Sequence, residues 1–257
     1  MTRNASQAAI SSFAVVVGLN EQWTERLPRL RGELVTLREI DASDVASLFT
    51  LFSNPAVTAF MAPPPPTPAK FAGFVAWSQE IRERGEGLCF GIVPNGMDAA
   101  VGILQVRSLD QETSSAEWGF VLGAEFWSSG VFADAANSLA EFAFTTMRME
   151  RLEARIAQRN ARGHAAVRKL GARYEATIPT GLANGIPRDP EVLWALREDD
   201  WRNRPRARRL AAADAMRQLR EAVEAAQRVL HASESPQTVE PYPLFLFDRR
   251  RREREQK

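Results

Sequence analysis

The segment that most directly suggests chemistry begins at Glu125 and reads EFWSSGVFADA. Three small residues, Ser128, Ser129 and Gly130, stand just before an apolar pattern with helical spacing. The first backbone N–H groups of a helix have no acceptor within the helix and lie at its positive end, so such a loop can hold a phosphate without a dedicated basic side chain. An ordinary strand-to-helix turn has the same pattern, and the loop alone does not decide between the two interpretations.

The elements around this loop alternate between strand and helix patterns. Short, turn-rich links join three strand-like runs before the loop, as in an antiparallel meander. Apolar residues then recur at three- and four-residue intervals after it, which predicts a helix. The pattern as a whole predicts an α+β fold whose strands before the loop form an antiparallel meander. The predicted strands are Glu33–Arg38, Leu88–Val93, Val101–Ser108, Ser115–Leu122, Leu152–Gln158, Arg173–Ile178 and Val192–Leu196, and the helices nearest the loop are Phe132–Met147 and Arg162–Leu170.

Composition limits the class of protein. The chain has 257 residues, of which 45% are hydrophobic and 25% charged, as in ordinary globular proteins. A formal net charge of +1 argues against wrapping nucleic acid with the whole surface. One cysteine, Cys89, and two histidines make a Cys/His metal site unexpected, and Cys89 in its apolar strand is interpreted as a buried, inert thiol. The apolar run Phe13–Leu19 is shorter than the roughly 20 residues of a membrane span, so we expect a cytoplasmic protein without a membrane partner.

Two segments resemble the GNAT acetyltransferases, and among these the ribosomal-protein Nα-acetyltransferases of the Rim type. The first contains the loop and reads AEWGFVLGAEFWSSGVFADAANSLAEFAF. It places the family's strand acid and glycine at Glu117 and Gly119, and the aromatic and the loop glycine at Trp127 and Gly130. The second reads RIAQRNARGHAAVRKLGARYEA and places the family's asparagine at Asn160. The resemblance extends from about Leu30 to Trp201. It implies the GNAT fold, which has a central mixed, mostly antiparallel twisted sheet flanked by helices, here with a C-terminal helical extension.

Three positions depart from the family's pattern. Phe132 stands where a second glycine or alanine is usual, and Gly163 stands where serine is frequent. Val167 stands where other GNAT branches carry a tyrosine that reprotonates the departing thiolate. A phenylalanine at 132 is expected to narrow the phosphate site or fill space that pantetheine uses. The missing tyrosine need not stop turnover, because a thiol ionises near pH 8.5 and its thiolate is a tolerable leaving group.

The resemblance implies an acetyl-CoA-dependent N-acetyltransferase in which a primary amine attacks the thioester directly. The acceptor is a protein N-terminus or a small-molecule amine. Glu117 is then the candidate general base, and the alternatives are that it orients the amine or only pairs with an arginine. Asn160 either binds the pantetheine arm or caps a helix, and the two roles can coexist. The residues that the resemblance assigns to acetyl-CoA are Phe120, Val121, Leu122, Trp127, Ser128, Ser129, Gly130, Val131, Phe132 and Asn160.

The chain divides into four predicted parts: an N-terminal extension (1–29), the acetyltransferase domain (30–203), an accessory helix (204–232) and a hydrophobic and basic tail (233–257). The accessory helix carries one apolar stripe, which either packs on its own domain or contacts a partner or a second copy in a homodimer. The basic tail is either solvated or touches RNA or the ribosome. An alternative function is a degenerate GNAT domain that binds CoA weakly or not at all and serves as a protein-interaction module.

Overall fold

The computed structural model describes residues 22–110, 112–179, 182–183, 186–187, 189–203 and 212–231. Most of the predicted N-terminal extension, including Phe13–Leu19, lies outside these ranges. So do the first part of the predicted accessory helix and the whole hydrophobic and basic tail.

One sheet of eight strands organises the described residues, and the predicted α+β class is confirmed. The strands are β1 Leu30–Arg31, β2 Val35–Glu39, β3 Gly87–Pro94, β4 Gly102–Asp110, β5 Ser115–Leu122, β6 Arg151–Ala157, β7 Arg173–Ile178, β8 Leu182–Ala183, β9 Ile186–Pro187 and β10 Glu191–Arg197. The strand order in the sheet is β1-β2-β3-β4-β5-β6-β10-β7, and β8 and β9 form a separate pair of two-residue strands. Every pairing in the sheet is antiparallel except that between β5 and β6.

Helices cover the sheet on both sides. All eight positions of β3 are buried. Helix α5 (Val131–Thr145) packs on the face that bears Phe90, and the rings of Phe90 and Phe142 meet edge-on with their centroids 5.8 Å apart. Helix α4 (Pro68–Glu83) also packs against β3. None of the described helices is long and apolar enough to cross a membrane. The helices are α1 Gln22–Glu25, α2 Val45–Phe52, α3 Pro55–Thr58, α4 Pro68–Glu83, α5 Val131–Thr145, α6 Ala161–Lys169, α7 Glu198–Asn203 and α8 Ala212–His231.

Local signals fix the limits of α4. Thr67 accepts a hydrogen bond from the backbone N–H of Lys70, and Pro68 supplies a pre-set φ at the first helical position. After the helix, Gly85 adopts a left-handed φ of +67°, which glycine reaches without a Cβ clash. Between these signals, Phe71 and Phe74 turn inward and continue an aromatic cluster with Phe52 of α2.

The C-terminal helix α8 packs on its own domain. It lies against α2 and against the short 3-10 turn Ala124–Phe126 that precedes the loop. Three of its residues, Leu219, Ala222 and Ala226, are buried. The structure therefore shows the first of the two predicted arrangements of the apolar stripe, while the domain boundary at 203 stays a prediction.

This packing predicts that Ala226→Glu destabilises the protein. Ala226 is fully buried, so the larger side chain of glutamate must either overpack the contact between α8 and the domain or push α8 away from the domain. We expect a loss of about 1–3 kcal/mol in the free energy of unfolding, measured by urea denaturation. Gln227→Glu introduces the same side chain on the exposed side of α8 and should change stability by less than about 0.5 kcal/mol. Equal effects of the two variants would contradict the packing.

Candidate functional site

The loop predicted to bind an anion has a backbone that only small residues adopt easily. Ser128 has a φ of +65° and Gly130 a φ of +89°, both in the left-handed region. Gly130 is the N-cap of α5 and provides no side-chain cap for the helix. The hydroxyl of Ser129 turns back to the carbonyl of Phe126 at 2.7 Å and also lies 3.3 Å from the N–H of Val131. The sequence thus folds here as the predicted strand, tight loop and helix, with the helix N-terminus facing the loop.

Trp127 connects the loop to the end of β5. Its indole N–H donates a hydrogen bond of 3.0 Å to the carbonyl of Leu122. The guanidinium carbon of Arg162 lies 3.5 Å from the centre of the Trp127 ring, so the two groups form a cation–π pair. Arg162 comes from the first turn of α6, and the sequence analysis did not select it. Its position two residues after Asn160 was the only available signal.

A carboxylate contact fixes the start of α5. Both oxygens of Asp134 accept hydrogen bonds from the chain that leads into β2, at distances of 3.1, 2.7 and 3.0 Å from the N–H groups of Glu33, Leu34 and Val35. Gly32 lies so close that a Cβ there would be 2.2 Å from Asp134 Oδ2. This contact holds the first turn of α5 against the start of β2, and sequence reasoning missed it because the partners are about 100 residues apart.

Asp134→Asn should therefore destabilise the protein, because an amide cannot accept with both of its terminal atoms. We expect a loss of about 1–3 kcal/mol in the free energy of unfolding, measured by urea denaturation. Glu141→Gln makes the same chemical change at an exposed position of α5 and should be nearly neutral. An unfolding free energy equal to that of the unchanged protein would show that the three backbone contacts contribute nothing.

Strands β5 and β6 part in the middle of the sheet. Their parallel pairing covers only Ser115–Glu117 with Arg151–Glu153, although β5 continues to Leu122 and β6 to Ala157. Alternate backbone groups of 118–122 point away from β4, and no register pair with β6 takes them up. Because Leu122 is also where the chain turns toward the loop, the open edge of β5 leads from the sheet centre to the N-terminus of α5.

Glu117 lies where the two strands separate. Its side chain is 17% exposed, and its Oε1 is 3.7 Å from Nε of Arg155 on β6. That distance marks an ion pair longer than a hydrogen bond. The register partners of Glu117 are Arg107 on β4 and Glu153 on β6, so these charged side chains share one face of the sheet. The structure therefore shows the predicted alternative in which Glu117 pairs with an arginine. This ion pair with Arg155 does not include a short hydrogen bond.

The neighbouring charges of this row form short ion pairs with one another. Arg151 donates to Glu153 at 2.9 Å and makes a two-pronged contact with Glu175 on β7. The hydrogen bonds from Arg151 hold the pKa of Glu175 below its ordinary value. Among these carboxylates, Glu117 is the one whose position at the strand opening allows a molecule lying between β5 and β6 to reach it.

Asn160 is a helix cap in this structure. Its Oδ1 accepts a hydrogen bond of 2.9 Å from the N–H of Gly163, at the start of α6. A Cβ at position 163 would lie 2.8 Å from Asn160 Nδ2 and 3.0 Å from Ile156 Cγ2. The glycine that departs from the family's pattern therefore lets the cap pack closely against β6. The capping alternative is seen, and a contact with pantetheine stays a proposal.

Phe132 stacks on Phe120. Their ring centroids are 4.4 Å apart at an interplanar angle of 46°, and Trp118 continues the row at 5.5 Å from Phe120. Phe120 and Phe132 are each partly buried, whereas Trp118 is buried. The bulky residue at 132 thus packs on a strand side chain beside the open edge of β5 rather than projecting into the loop itself.

Four further residues, at positions 167, 174, 164 and 89, offer no proton donor near the opening. Val167 is fully buried, and Tyr174 is 57% exposed on β7. His164 is held at both nitrogens: the Trp194 indole N–H donates to its Nδ1 at 2.9 Å, so Nε2 carries the proton and faces the Gln158 carbonyl at 3.1 Å. Cys89 is 2% exposed, and burial raises the pKa of its thiol. Within the described ranges, no group of three or more His, Cys, Asp or Glu side chains is arranged to hold a metal ion.

Comparison with known proteins decides the family. The sequence model of the acetyltransferase (GNAT) domain matches residues 35–173, which is more than half of the chain. The chain belongs to the GNAT acetyltransferase family. The matched range includes the loop, Glu117 and Asn160, and the resemblance drawn from the two sequence segments is confirmed.

Individual relatives agree with this assignment. The acetyltransferase is 29% identical over 129 residues to the uncharacterized N-acetyltransferase p20 of Bacillus licheniformis, covering 50% of this chain and 72% of p20. It is 25% identical over 171 residues to the uncharacterized N-acetyltransferase YoaA of Bacillus subtilis, covering 64% of this chain and 94% of YoaA. The solved structure of Mycobacterium smegmatis RimJ in complex with CoA-disulfide shares the fold, with a TM-score of 0.59 at 20% identity over 72% of this chain and 93% of RimJ. The protein is thus an acetyltransferase enzyme, and the alternative of a degenerate interaction module is not favoured.

Proposed function

We propose that this acetyltransferase uses acetyl-CoA as its donor and acetylates a primary amine by direct attack on the thioester. The observation that carries the proposal is the open edge of β5, which runs from Glu117 to the loop at the N-terminus of α5. An extended donor with an anionic end and a reactive end fits such a path. The presence of CoA-disulfide in the similarly folded RimJ structure supports the same donor class.

The loop would hold the pyrophosphate. Ser128, Ser129 and Gly130 lead into the positive end of α5, where the N–H of Val131 makes a 3.3 Å contact with Ser129 Oγ and the N–H of Phe132 has no acceptor within the helix. Gly130 gives the loop the left-handed φ of +89° at the start of this helix. These features need no basic side chain within the loop, which fits its sequence.

The pantetheine arm would lie along β5. Along Phe120, Val121 and Leu122, the backbone groups that point away from β4 are not taken up by β6, although the Leu122 carbonyl already accepts a hydrogen bond from Trp127. An N–H in this stretch directed at the thioester oxygen would stabilise the charge that develops during attack. The Nδ2 group of Asn160 is the second proposed contact, because its Oδ1 is already used in capping α6. The stacked rings of Phe120 and Phe132 would form one wall of this slot.

Glu117 would receive the proton of the attacking amine. It stands at the inner end of the slot, partly buried, and a carboxylate there can act directly or through one water. Arg155 lies 3.7 Å from Oε1 of Glu117, which is longer than a hydrogen bond, so this ion pair does not prevent Glu117 from accepting a proton. The tetrahedral intermediate then collapses with departure of the CoA thiolate, which needs no dedicated acid near neutral pH.

The acceptor is a protein N-terminus or a small-molecule amine, and the Rim-type likeness favours the former. A homodimer or protein contact through the C-terminal extension, and a ribosome or RNA contact through the basic tail, are proposals that go with this acceptor. A cytoplasmic location fits a donor and acceptors of these classes.

An acetyl-transfer assay tests the proposal. The full-length protein is incubated with acetyl-CoA and a panel of short peptides with free N-termini and small primary amines, with thiol release followed by colour reaction and products by mass spectrometry. We expect amine-dependent thiol release and one acetyl group added to at least one acceptor. The matched control is the same peptide with a blocked N-terminus and no lysine, which should not react. Thiol release that is independent of every amine would contradict the proposal.

A further inference from the structure

Arg162 differs from Arg155 and Arg159, the two preceding arginines of the chain, in having no carboxylate partner. Arg155 faces Glu117, and Arg159 binds Asp189 at 2.7 Å. Among the described residues, the side chain of Arg162 makes no ion pair and no hydrogen bond, and the contact shown for it is the stack on Trp127 at 3.5 Å. An uncompensated cation is therefore held at one defined place beside the loop.

The stack determines which part of the guanidinium stays available. Trp127 contacts the flat face of the group, and the Trp127 ring is itself fixed by its hydrogen bond to Leu122. The N–H donors of a guanidinium lie in its plane and project from its edges, so stacking leaves them free. A guanidinium edge makes two parallel hydrogen bonds to a phosphate more readily than to any neutral group.

The position of this edge fits an anion rather than a structural role. Trp127 is the residue directly before Ser128, so Arg162 lies beside the loop that leads to the N-terminus of α5. Asn160 already caps α6, and Arg162 is exposed, so neither the helix nor the core requires a cation here. Two independent positive features, the end of α5 and a stacked guanidinium from α6, converge on the same opening.

We propose that Arg162 binds a phosphate group of CoA, with Trp127 as the platform that orients it. The inference rests on the proposed donor and deepens it, because it assigns a phosphate contact to α6 in addition to the loop. The phosphate is either the pyrophosphate or the 3′-phosphate on the ribose, and these share the same chemistry toward a guanidinium. The two are separated by using dephospho-CoA, which lacks only the 3′-phosphate.

The test is a calorimetric titration of the full-length protein with CoA and with dephospho-CoA. Arg162→Gln is compared with Arg168→Gln, which removes the same charge from an exposed position in the last turn of the same helix. We expect Arg162→Gln to weaken CoA binding about tenfold or more, as for the loss of a charge-assisted hydrogen bond, and Arg168→Gln to change it by less than about twofold. Arg162→Lys keeps the charge but not the fork and should fall between the two. Thermal denaturation checks that each variant is folded.

Dephospho-CoA identifies the phosphate. If Arg162 contacts the 3′-phosphate, Arg162→Gln and the unchanged protein bind dephospho-CoA equally. If it contacts the pyrophosphate, the substitution weakens the binding of dephospho-CoA by about the same factor as the binding of CoA. Unchanged affinity for both ligands in a folded Arg162→Gln variant, or an equal loss in Arg168→Gln, would overturn the inference while leaving the donor intact. Failure of the unchanged protein to bind CoA would instead overturn the proposed donor together with this contact.

Discussion

Replacing Glu117 with glutamine is expected to lower kcat about 100- to 10,000-fold, the range that general acid–base catalysis supplies. Glutamine keeps the shape of the side chain but cannot accept the proton of the amine. The affinity for acetyl-CoA should change by less than about twofold, because the loop and the outer part of β5 are untouched. Steady-state kinetics with a good acceptor and a separate titration with acetyl-CoA measure the two effects.

Glu153→Gln is the matched control for this prediction. Glu153 is the register partner of Glu117 on β6 and belongs to the same row of charges, but it is engaged by Arg151 at 2.9 Å. If Glu117 is the base, Glu153→Gln should retain most of the turnover. Equal losses in both variants would assign the effect to the charged row as a whole. A rise in KM with unchanged kcat for Glu117→Gln would show that Glu117 orients the amine instead.

Replacing Gly130 with aspartate is expected to weaken acetyl-CoA binding about tenfold to 100-fold. The new carboxylate would add a negative charge at the N-cap of α5, beside the proposed pyrophosphate site. Two unit charges about 6 Å apart repel by roughly 3 kcal/mol at an effective dielectric constant near 20, before screening by salt. The effect should diminish as salt is added. Calorimetric titration at two ionic strengths measures both the loss and its salt dependence.

Gly130→Asn separates charge from backbone strain. Gly130 has a φ of +89°, and a Cβ there would lie 3.1 Å from Leu34 Cδ1, so either substitution strains the loop. Asparagine has the size of aspartate and the same tolerance of left-handed backbone, but no charge. Aspartate should therefore weaken acetyl-CoA binding clearly more than asparagine does. Equal affinities of the two variants would remove the loop from the phosphate site.

Local sequence rules were sufficient to predict most of the elements that carry the site. The strand Ser115–Leu122 was predicted with its observed limits, since alternating apolar residues follow directly from a strand with one buried face. The small residues 128–130 predicted the tight loop, and the structure adds that Ser128 and Gly130 have left-handed backbone there. Capping was one of the two roles predicted for Asn160, and it is seen because a side-chain acceptor before a helix satisfies a free N–H.

Contacts between distant segments could not be predicted from the sequence alone. The stack of Arg162 on Trp127 depends on how α6 lies beside the loop, and no local pattern encodes that distance. The same holds for Asp134, whose three donors are about 100 residues earlier in the chain. The parting of β5 and β6 is a property of the pairing register, which neither strand reveals by itself. The family resemblance indicated which ligands the site would bind, and the structure showed how the residues of the site are arranged.

Phe132 shows how a departure from a family pattern is accommodated. The sequence suggested that a phenylalanine at this position would narrow the phosphate site or fill space that pantetheine uses. The ring lies against Phe120, with the two ring centroids 4.4 Å apart. The bulk is therefore placed beside the proposed pantetheine path, and any effect on the donor should concern the arm rather than the pyrophosphate.

The most direct test of the central claim is calorimetric titration of the unchanged, full-length protein with acetyl-CoA. In the proposed function, acetyl-CoA lies along the open edge of β5 and reaches the loop at the N-terminus of α5. We expect binding of one acetyl-CoA per chain with a dissociation constant in the micromolar range, corresponding to about 8 kcal/mol. The absence of detectable binding at millimolar acetyl-CoA would contradict the account.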